Sequence, residues 1–237
     1  MGKTLGISAR ARKEEEPLQQ GIHGADRGNC GWISQHLLAG LRSGGNTGVV
    51  DVPTRLGKMH QLLSSQHSDV RPLVLEPPAT RRQIADVELA LGLEPPSTFR
   101  EVLLTVSSHM EFVWFAGDRQ FARPFHRNFS GDLHWSLDQM VHLESERRSW
   151  FAAVFPNLAD PYDAVWHDKP AFYEVGNGDF LAFDLAAETY GQVVYLCHDD
   201  GEGHGYVLAQ DFQDLLARWL PLACAGGEDW QLRETGA

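Results

Sequence analysis

The sequence has few of the features that define several common protein classes. Its 237 residues include three cysteines, Cys30, Cys197 and Cys224, which are widely spaced and form no CxxC pair. This pattern argues against a disulfide framework and against a structural zinc site. No apolar run approaches the ~18–20 residues that a membrane helix needs. The basic residues near the start precede no apolar run, as a secretory signal would require. We therefore expect a cytoplasmic protein without a membrane partner.

Motifs for covalent or phosphate chemistry are also missing. The sequence holds no GxSxG nucleophile motif, no GxxxxGK[ST] phosphate loop and no GxGxxG in a βαβ setting. A glycine-rich run at 201–205 reads Gly-Glu-Gly-His-Gly, and its acidic charge argues against phosphate binding. We therefore predict that the protein is not an enzyme.

One group of residues leaves a metal-dependent alternative open. The densest set of possible metal ligands comprises His198, Asp199, Asp200, Glu202 and His204. Its spacing matches no metal template such as HExxH, and an acidic loop between two strands explains it as well. The nearby Asp160 and Asp163 lack the glycine and distal glutamate of an EF-hand. We therefore predict no metal site. Finding no stoichiometric ion in the purified protein would eliminate a metal hydrolase.

Negative charge is concentrated in the last third of the chain. Residues 1–70 hold 8 Lys+Arg and 6 Asp+Glu, whereas residues 151–237 hold 3 and 15. The net charge of the last third is therefore −12, equal to that of the whole chain. Such a region repels nucleic acid and anionic membrane and attracts a basic protein. The alternative is that the acidity serves solubility alone.

The first quarter of the chain differs in composition from the rest. Residues 1–58 contain 11 of the 23 glycines and no sustained apolar period. We predict that this segment is disordered or loosely attached, and that residues 59–237 form the folded domain. A further hypothesis is that Met59 is the natural start. N-terminal sequencing of the natural protein would contradict it if the chain began at Met1 or Gly2.

Periodicity in the remaining residues predicts helices, then strands, then a closing helix. Thr80 is a suitable N-cap for a helix over 81–91, Gly92 a suitable stop, and Ser97 a suitable cap for the next helix. This order predicts an α+β fold with a central antiparallel twisted sheet. Further helices are predicted over 136–145, 147–155 and 211–220, and strands over 111–116, 171–175, 180–185, 193–197 and 206–209.

A hairpin is predicted at Gly176-Asn177-Gly178-Asp179. Asn-Gly between alternating apolar residues indicates a type I′ turn, because both residues tolerate the positive φ that this turn requires. We therefore interpret Asn177, Gly178 and Asp179 as structural turn residues rather than as catalytic ones.

The order of these motifs resembles the SUKH superfamily, also known as the Smi/Knr type. The family's opening helix pair resembles residues 83–92 followed by Pro95-Pro96 and residues 99–104. Its central hairpin resembles residues 172–184, with the Gly-Asn-Gly-Asp turn. The following strand and the closing elements resemble 193–199, 208–209 and 212–216. The resemblance spans roughly residues 60–237 and departs from the family at 107–110, where an Asn-Gly-Gly-like turn is usual.

The resemblance implies an α+β domain that works by binding and needs no cofactor. Bacterial members are chiefly immunity proteins encoded beside polymorphic toxins, many of them nucleases, and a fungal branch acts in cell-wall signalling. We expect an immunity protein with a basic protein partner, probed first at residues in predicted loops. The alternative is a regulatory scaffold. Trp166 is either a partner anchor or a core residue at the sheet edge. The candidate contact residues are Asp160, Asp163, Trp166, Asp168, Asp199, Asp200 and Glu202.

Overall fold

The computed structural model describes residues 51–66, 69–116, 130–199 and 203–225. These ranges contain six α-helices and eight strands, and they confirm the predicted α+β fold. The helices are α1 (Val52–Ser65), α2 (Arg81–Leu91), α3 (Ser97–Thr105), α4 (Met140–Ala153), α5 (Pro161–Val165) and α6 (Phe212–Trp219). The strands are β1 (Asp69–Val70), β2 (Val74–Leu75), β3 (His109–Phe115), β4 (Ser130–Ser136), β5 (Ala171–Glu174), β6 (Phe180–Phe183), β7 (Val193–Leu196) and β8 (Val207–Ala209).

The strands form two antiparallel sheets, where the sequence predicted one central sheet. In the first sheet β3 pairs with β4 on one side and with β1 and β2 on the other. The second sheet has the order β5-β6-β7-β8 and is called sheet B below. The Tyr173 hydroxyl donates a hydrogen bond to the Asp132 carbonyl, 3.2 Å away, which links β5 to β4.

An aromatic cluster joins the opening helices to sheet B and to the closing helix. Phe99 of α3 lies 4.7 Å from Phe212 of α6, measured between ring centroids, in an edge-to-face arrangement. Phe172 stacks on Phe183 across β5 and β6 at 4.2 Å. All four rings are buried, and each contributes about 1.5–3 kcal/mol through the burial of its side chain. This cluster fixes sheet B beneath α3 and α6.

The packed domain begins earlier than the predicted boundary at residue 59. Helix α1 buries Val52, Leu56, Met59 and Leu63, which lie on one helical face. Because Leu56 has 0% of its surface exposed, the boundary between 58 and 59 falls inside a packed helix and is wrong. The part of the predicted loose segment before residue 51 lies outside the described residues.

Local chemistry at helix ends gives one confirmed prediction and two corrections. Thr80 and Gln83 form a reciprocal capping box at the start of α2, and Gly92 ends it at φ 70. The predicted Ser97 cap is wrong, because Pro96 holds the N-cap position of α3 without a side-chain hydrogen bond. The two helices predicted over 136–145 and 147–155 are the single helix α4, since no helix breaker separates them.

Within the described ranges, no helix has the length and apolar character to cross a membrane.

Candidate partner-binding surface

Sheet B has two ends with different residues. At one end, residues 175–179 join β5 to β6, and His198 and Asp199 follow β7, since Phe180 pairs with Leu196. We call this the turn end. At the other end, called the far end, the Leu185 N–H donates to the Asp168 carbonyl at 2.9 Å, and residues 184–192 join β6 to β7. The predicted contact residues Asp168 and Asp199 therefore lie at opposite ends of sheet B.

The hairpin turn has a different geometry from the type I′ prediction. The Gly178 N–H donates to the Val175 carbonyl, and the Val175 N–H donates to the Asp179 carbonyl, both at 2.8 Å. Gly178 has φ 93, whereas Asn177 does not adopt a positive φ. The loop therefore has three residues, 176–178, and ends in one left-handed glycine. Asn177 acts through its side chain instead, which accepts from the Asp179 N–H at 3.0 Å.

Asp179 is the centre of a buried hydrogen-bond network. Its side chain is 2% exposed. Its donors are the Tyr195 hydroxyl, the His198 N–H at 2.8 Å, His198 Nδ1 at 2.6 Å and Asn177 Nδ2 at 2.8 Å. These bonds tie the hairpin turn to the end of β7. A carboxylate with several donors resists protonation even where it is buried.

The network also determines the proton positions at the turn end. Burial by itself raises the pKa of Asp179, but the donated hydrogen bonds outweigh burial and hold this pKa below its ordinary value. Burial first, and then the bond to Asp179, raise the pKa of Tyr195 far above its ordinary value. Asp179 is therefore a carboxylate, which only accepts hydrogen bonds. It follows that His198 Nδ1 carries a proton and that, in the neutral ring, Nε2 is an acceptor.

Helix α5, which the sequence did not predict, brings three of the candidate contact residues together. Asp160 caps the helix by accepting from the Tyr162 N–H at 2.8 Å, and Asp163 accepts from the Asn157 N–H at 2.8 Å. The Tyr162 hydroxyl donates to the carbonyls of Cys197, at 3.0 Å, and Asp199. Asp160, Asp163 and Asp199 therefore lie on adjoining segments around one tyrosine.

His204 is held as a neutral structural ring. Its Nδ1 accepts from the Cys197 N–H at 3.0 Å, so its Nε2 carries the proton and donates to the Tyr162 carbonyl at 3.0 Å. Burial lowers the pKa of His204, although the bond to Tyr162 opposes that shift. With both nitrogens engaged, neither is available to a metal ion.

The remaining predicted contact residues and metal ligands are not all at this surface. Trp166 is 0% exposed and stacks on Phe155 at 5.0 Å, so it is a core residue, the second of its two interpretations. Asp168 is exposed at the far end, with φ 51. Asp200 and Glu202 lie outside the described residues. Among the residues that the structure describes, no group of three or more His, Cys, Asp or Glu side chains is placed to hold a metal.

The acidity of the last third is not cancelled locally. The described part of it, 151–199 and 203–225, holds ten Asp+Glu and two basic residues, Lys169 and Arg218. Lys169 Nζ lies 3.3 Å from Asp184 Oδ1, and Arg218 Nε lies 3.0 Å from Asp214 Oδ1. Both cations are thus already paired. Asp160, Asp163 and Asp199 form no ion pair with a Lys or Arg of the described ranges.

Trp150 is a surface residue that the sequence analysis did not single out. It lies near the C-terminal end of α4 and is 37% exposed. Its ring centroid is 5.6 Å from that of His198. The sequence predicted a short helix over 147–155, which contains this position. The exposure of Trp150 follows from how the continuous α4 packs.

Comparison with known families agrees with this architecture. The fold is an α+β domain built on two antiparallel sheets with a closing helix. Residues 78–218 match the model of the SMI1 / KNR4 family (SUKH-1), and the chain belongs to that family. The match extends from the residues before α2 into α6 and includes the turn end. Members of the family are generally non-enzymatic binding proteins. None of the curated proteins matches the chain.

Proposed function

We propose that this protein is a cytoplasmic, non-enzymatic immunity protein that neutralises a basic toxin domain through the acidic turn end of sheet B. The observation that supports the proposal is the set of carboxylates around Tyr162, namely Asp160, Asp163 and Asp199, which form no ion pair with a Lys or Arg in the described part of the chain. A nuclease is a suitable toxin class, because a nuclease must carry basic groups to hold phosphates. Complementary charge accelerates encounter and favours the correct partner over others.

The partner is identified by affinity purification with the tagged full-length chain from its native host, at low and at moderate salt. The expected result is one basic protein, released as salt rises, whose toxic activity a stoichiometric amount of the purified chain inhibits. Recovery of basic proteins whose activity is not inhibited would contradict the proposal. A toxin gene directly upstream would be independent support.

The position of the binding surface is tested with two charge reversals that change the net charge equally. Asp199→Lys alters the turn end, and Glu188→Lys alters the exposed loop at the far end. We expect Asp199→Lys to slow association with the toxin about ten-fold at low salt and to flatten its salt dependence. Glu188→Lys should change the rate by less than about two-fold. Equal effects would show that the net charge matters and the turn end does not.

A regulatory scaffold of the SMI1 / KNR4 type is the second candidate function, because the family match fits both. The same purification separates them. Several signalling or cell-envelope proteins, retained at moderate salt and without toxic activity, would favour the scaffold. An isolated gene would point the same way.

A further inference from the structure

The His198 ring is fixed between the hairpin turn and Trp150. A Cβ atom at Gly178 would lie 3.7 Å from His198 Cε1, so the ring rests against the turn. The Trp150 ring lies 5.6 Å away, between centroids. Because the backbone N–H and Nδ1 of His198 both donate to Asp179 Oδ1, the ring has little freedom to rotate. Its side chain is 28% exposed, and within the described ranges Nε2 makes no hydrogen bond.

The groups that meet solvent here all attract positive charge. With Nδ1 donating to Asp179, the uncharged form of the His198 ring presents a lone pair at Nε2. The face of the Trp150 indole is the negative pole of its quadrupole. Asp199, the next residue in the chain, is exposed. Its Oδ1 accepts from Cys197 Sγ at 3.0 Å, and within the described ranges no Lys or Arg pairs with it.

No nearby cation of α4 occupies this position. Arg147 and Arg148 precede Trp150 in the helix, and both are bound to the buried Glu144, with Nε–Oε distances of 2.8 and 2.7 Å. Arg147 also donates to the Trp166 carbonyl, and Arg148 to the Leu91 carbonyl at 3.2 Å. These contacts hold both guanidinium groups away from Trp150.

We propose that Trp150, His198 and Asp199 form a subsite that receives one arginine side chain of the protein partner. A guanidinium stacks on an indole face, and its five N–H donors supply both His198 Nε2 and the Asp199 carboxylate. A lysine ammonium has no plane to stack and binds more weakly. The inference rests on the proposed function for the partner's identity and adds the residue type that the partner presents.

The probe is the tripeptide acetyl-Arg-Arg-Arg-amide, titrated into the full-length chain at neutral pH and low salt. Binding is followed by the NMR signal of the Trp150 indole N–H, which is assigned from its loss in Trp150→Phe. We expect a saturable shift and a dissociation constant about five-fold lower than that of the tri-lysine peptide. No shift at Trp150, or equal affinity for the two peptides, would overturn the proposal.

Two variants locate the subsite. Asp199→Asn should weaken tri-arginine binding about five-fold, whereas Asp168→Asn, which removes the same charge at the far end, should change it less than about two-fold. Trp150→Leu keeps an apolar side chain but removes the π face, and should weaken binding about five-fold. Because this variant lacks the indole signal, its binding and that of the unchanged chain are compared by isothermal titration calorimetry. Circular dichroism and the signals of the other indoles verify that each variant is folded. If Asp168→Asn weakened binding as much as Asp199→Asn, only the net charge would matter.

The outcome for the subsite is separable from the outcome for the immunity function. If the toxin is neutralised but Trp150→Leu binds it as tightly as the unchanged chain does, the subsite is wrong and the proposed function stands. If tri-arginine binds at Trp150 but no toxin is inhibited, the subsite stands and the proposed function fails.

Discussion

Each end of sheet B has a buried aspartate, and the two side chains are held by different kinds of partner. At the far end, Asp184 lies 3.3 Å from Lys169, and its charge is cancelled by an opposite charge. At the turn end, Asp179 is bound by a tyrosine, an asparagine, a histidine and a backbone N–H. The tyrosine, asparagine and backbone donors stabilise the carboxylate without carrying an opposite charge. The turn end is therefore rigid without a Lys or Arg paired to Asp179, whereas Asp184 at the far end is held by Lys169.

The largest expected effect is the loss of the Asp179 network. Asp179→Ala leaves buried donors of Tyr195 and His198 without an acceptor, and we expect a loss of about 3 kcal/mol in the free energy of unfolding. Asp184→Ala at the far end also leaves the Ala186 N–H without its side-chain acceptor, but Lys169 is a flexible side chain that can turn towards water. Its expected loss is about 1 kcal/mol. Urea denaturation measures both, and equal losses would contradict the comparison.

Backbone conformation gives a second, smaller difference. Gly178 has φ 93, so Gly178→Ala should cost about 1–2 kcal/mol. Gly176→Ala, in the same loop but without a positive φ, is the control and should cost less than about 0.5 kcal/mol. At the far end Asp168 already accepts φ 51, and Asp168→Gly should change stability by less than about 1 kcal/mol. Thermal midpoints would show whether this ranking holds.

The smallest expected effect is a pH dependence at the turn end. The pKa of His204 is lowered in the folded protein, so folding favours the neutral ring. Its contribution to stability is complete above the unfolded pKa of about 6.5 and is lost as pH falls towards the lower folded value. Stability should therefore decrease from pH 7 to pH 5, and His204→Gln should reduce this slope. An unchanged slope in His204→Gln would assign it to other groups.

Asp179 responds in a more acidic range. Its pKa is lowered on folding, so its contribution is present above the unfolded value of about 3.9 and lost as pH falls through the folded value. Asp179→Asn should therefore flatten the stability curve below about pH 4, and His204→Gln should leave that range unchanged. Denaturation curves of both variants over pH 2–7 separate the two groups.

The sequence predicted those elements whose ends are determined by local chemistry. Thr80 and Gly92 mark α2 correctly, because a capping box and a left-handed glycine involve only neighbouring residues. Strand β4 was missed because only Leu133 and Trp135 supply apolar side chains to its buried face, while Gly131 takes the third buried position. Strands β1 and β2 have two residues each and exist only through pairing with β3.

The surface residues were harder to predict because their roles depend on distant contacts. Trp150 and Trp166 both have a charged residue two positions away in the sequence, yet Trp150 is 37% exposed and Trp166 is 0% exposed. The burial of Asp179 depends on Tyr195 and His198, which are 16 and 19 residues away. No local pattern distinguishes such an aspartate from an ordinary turn residue. The acidity of the last third was apparent from the sequence, because charge is visible in composition.

The packed domain extends beyond the residues that match the family, because helix α1 is part of its core. The match begins at residue 78 and ends at 218, whereas Val52, Leu56, Trp219 and Leu220 are buried in one core cluster. A gene fragment cut at the limits of the match would therefore discard part of its own interior and expose apolar surface in its place. To preserve this core, a recombined or recombinant gene must encode residues 52–225 together. The residues that match the family, 78–218, are only part of that range.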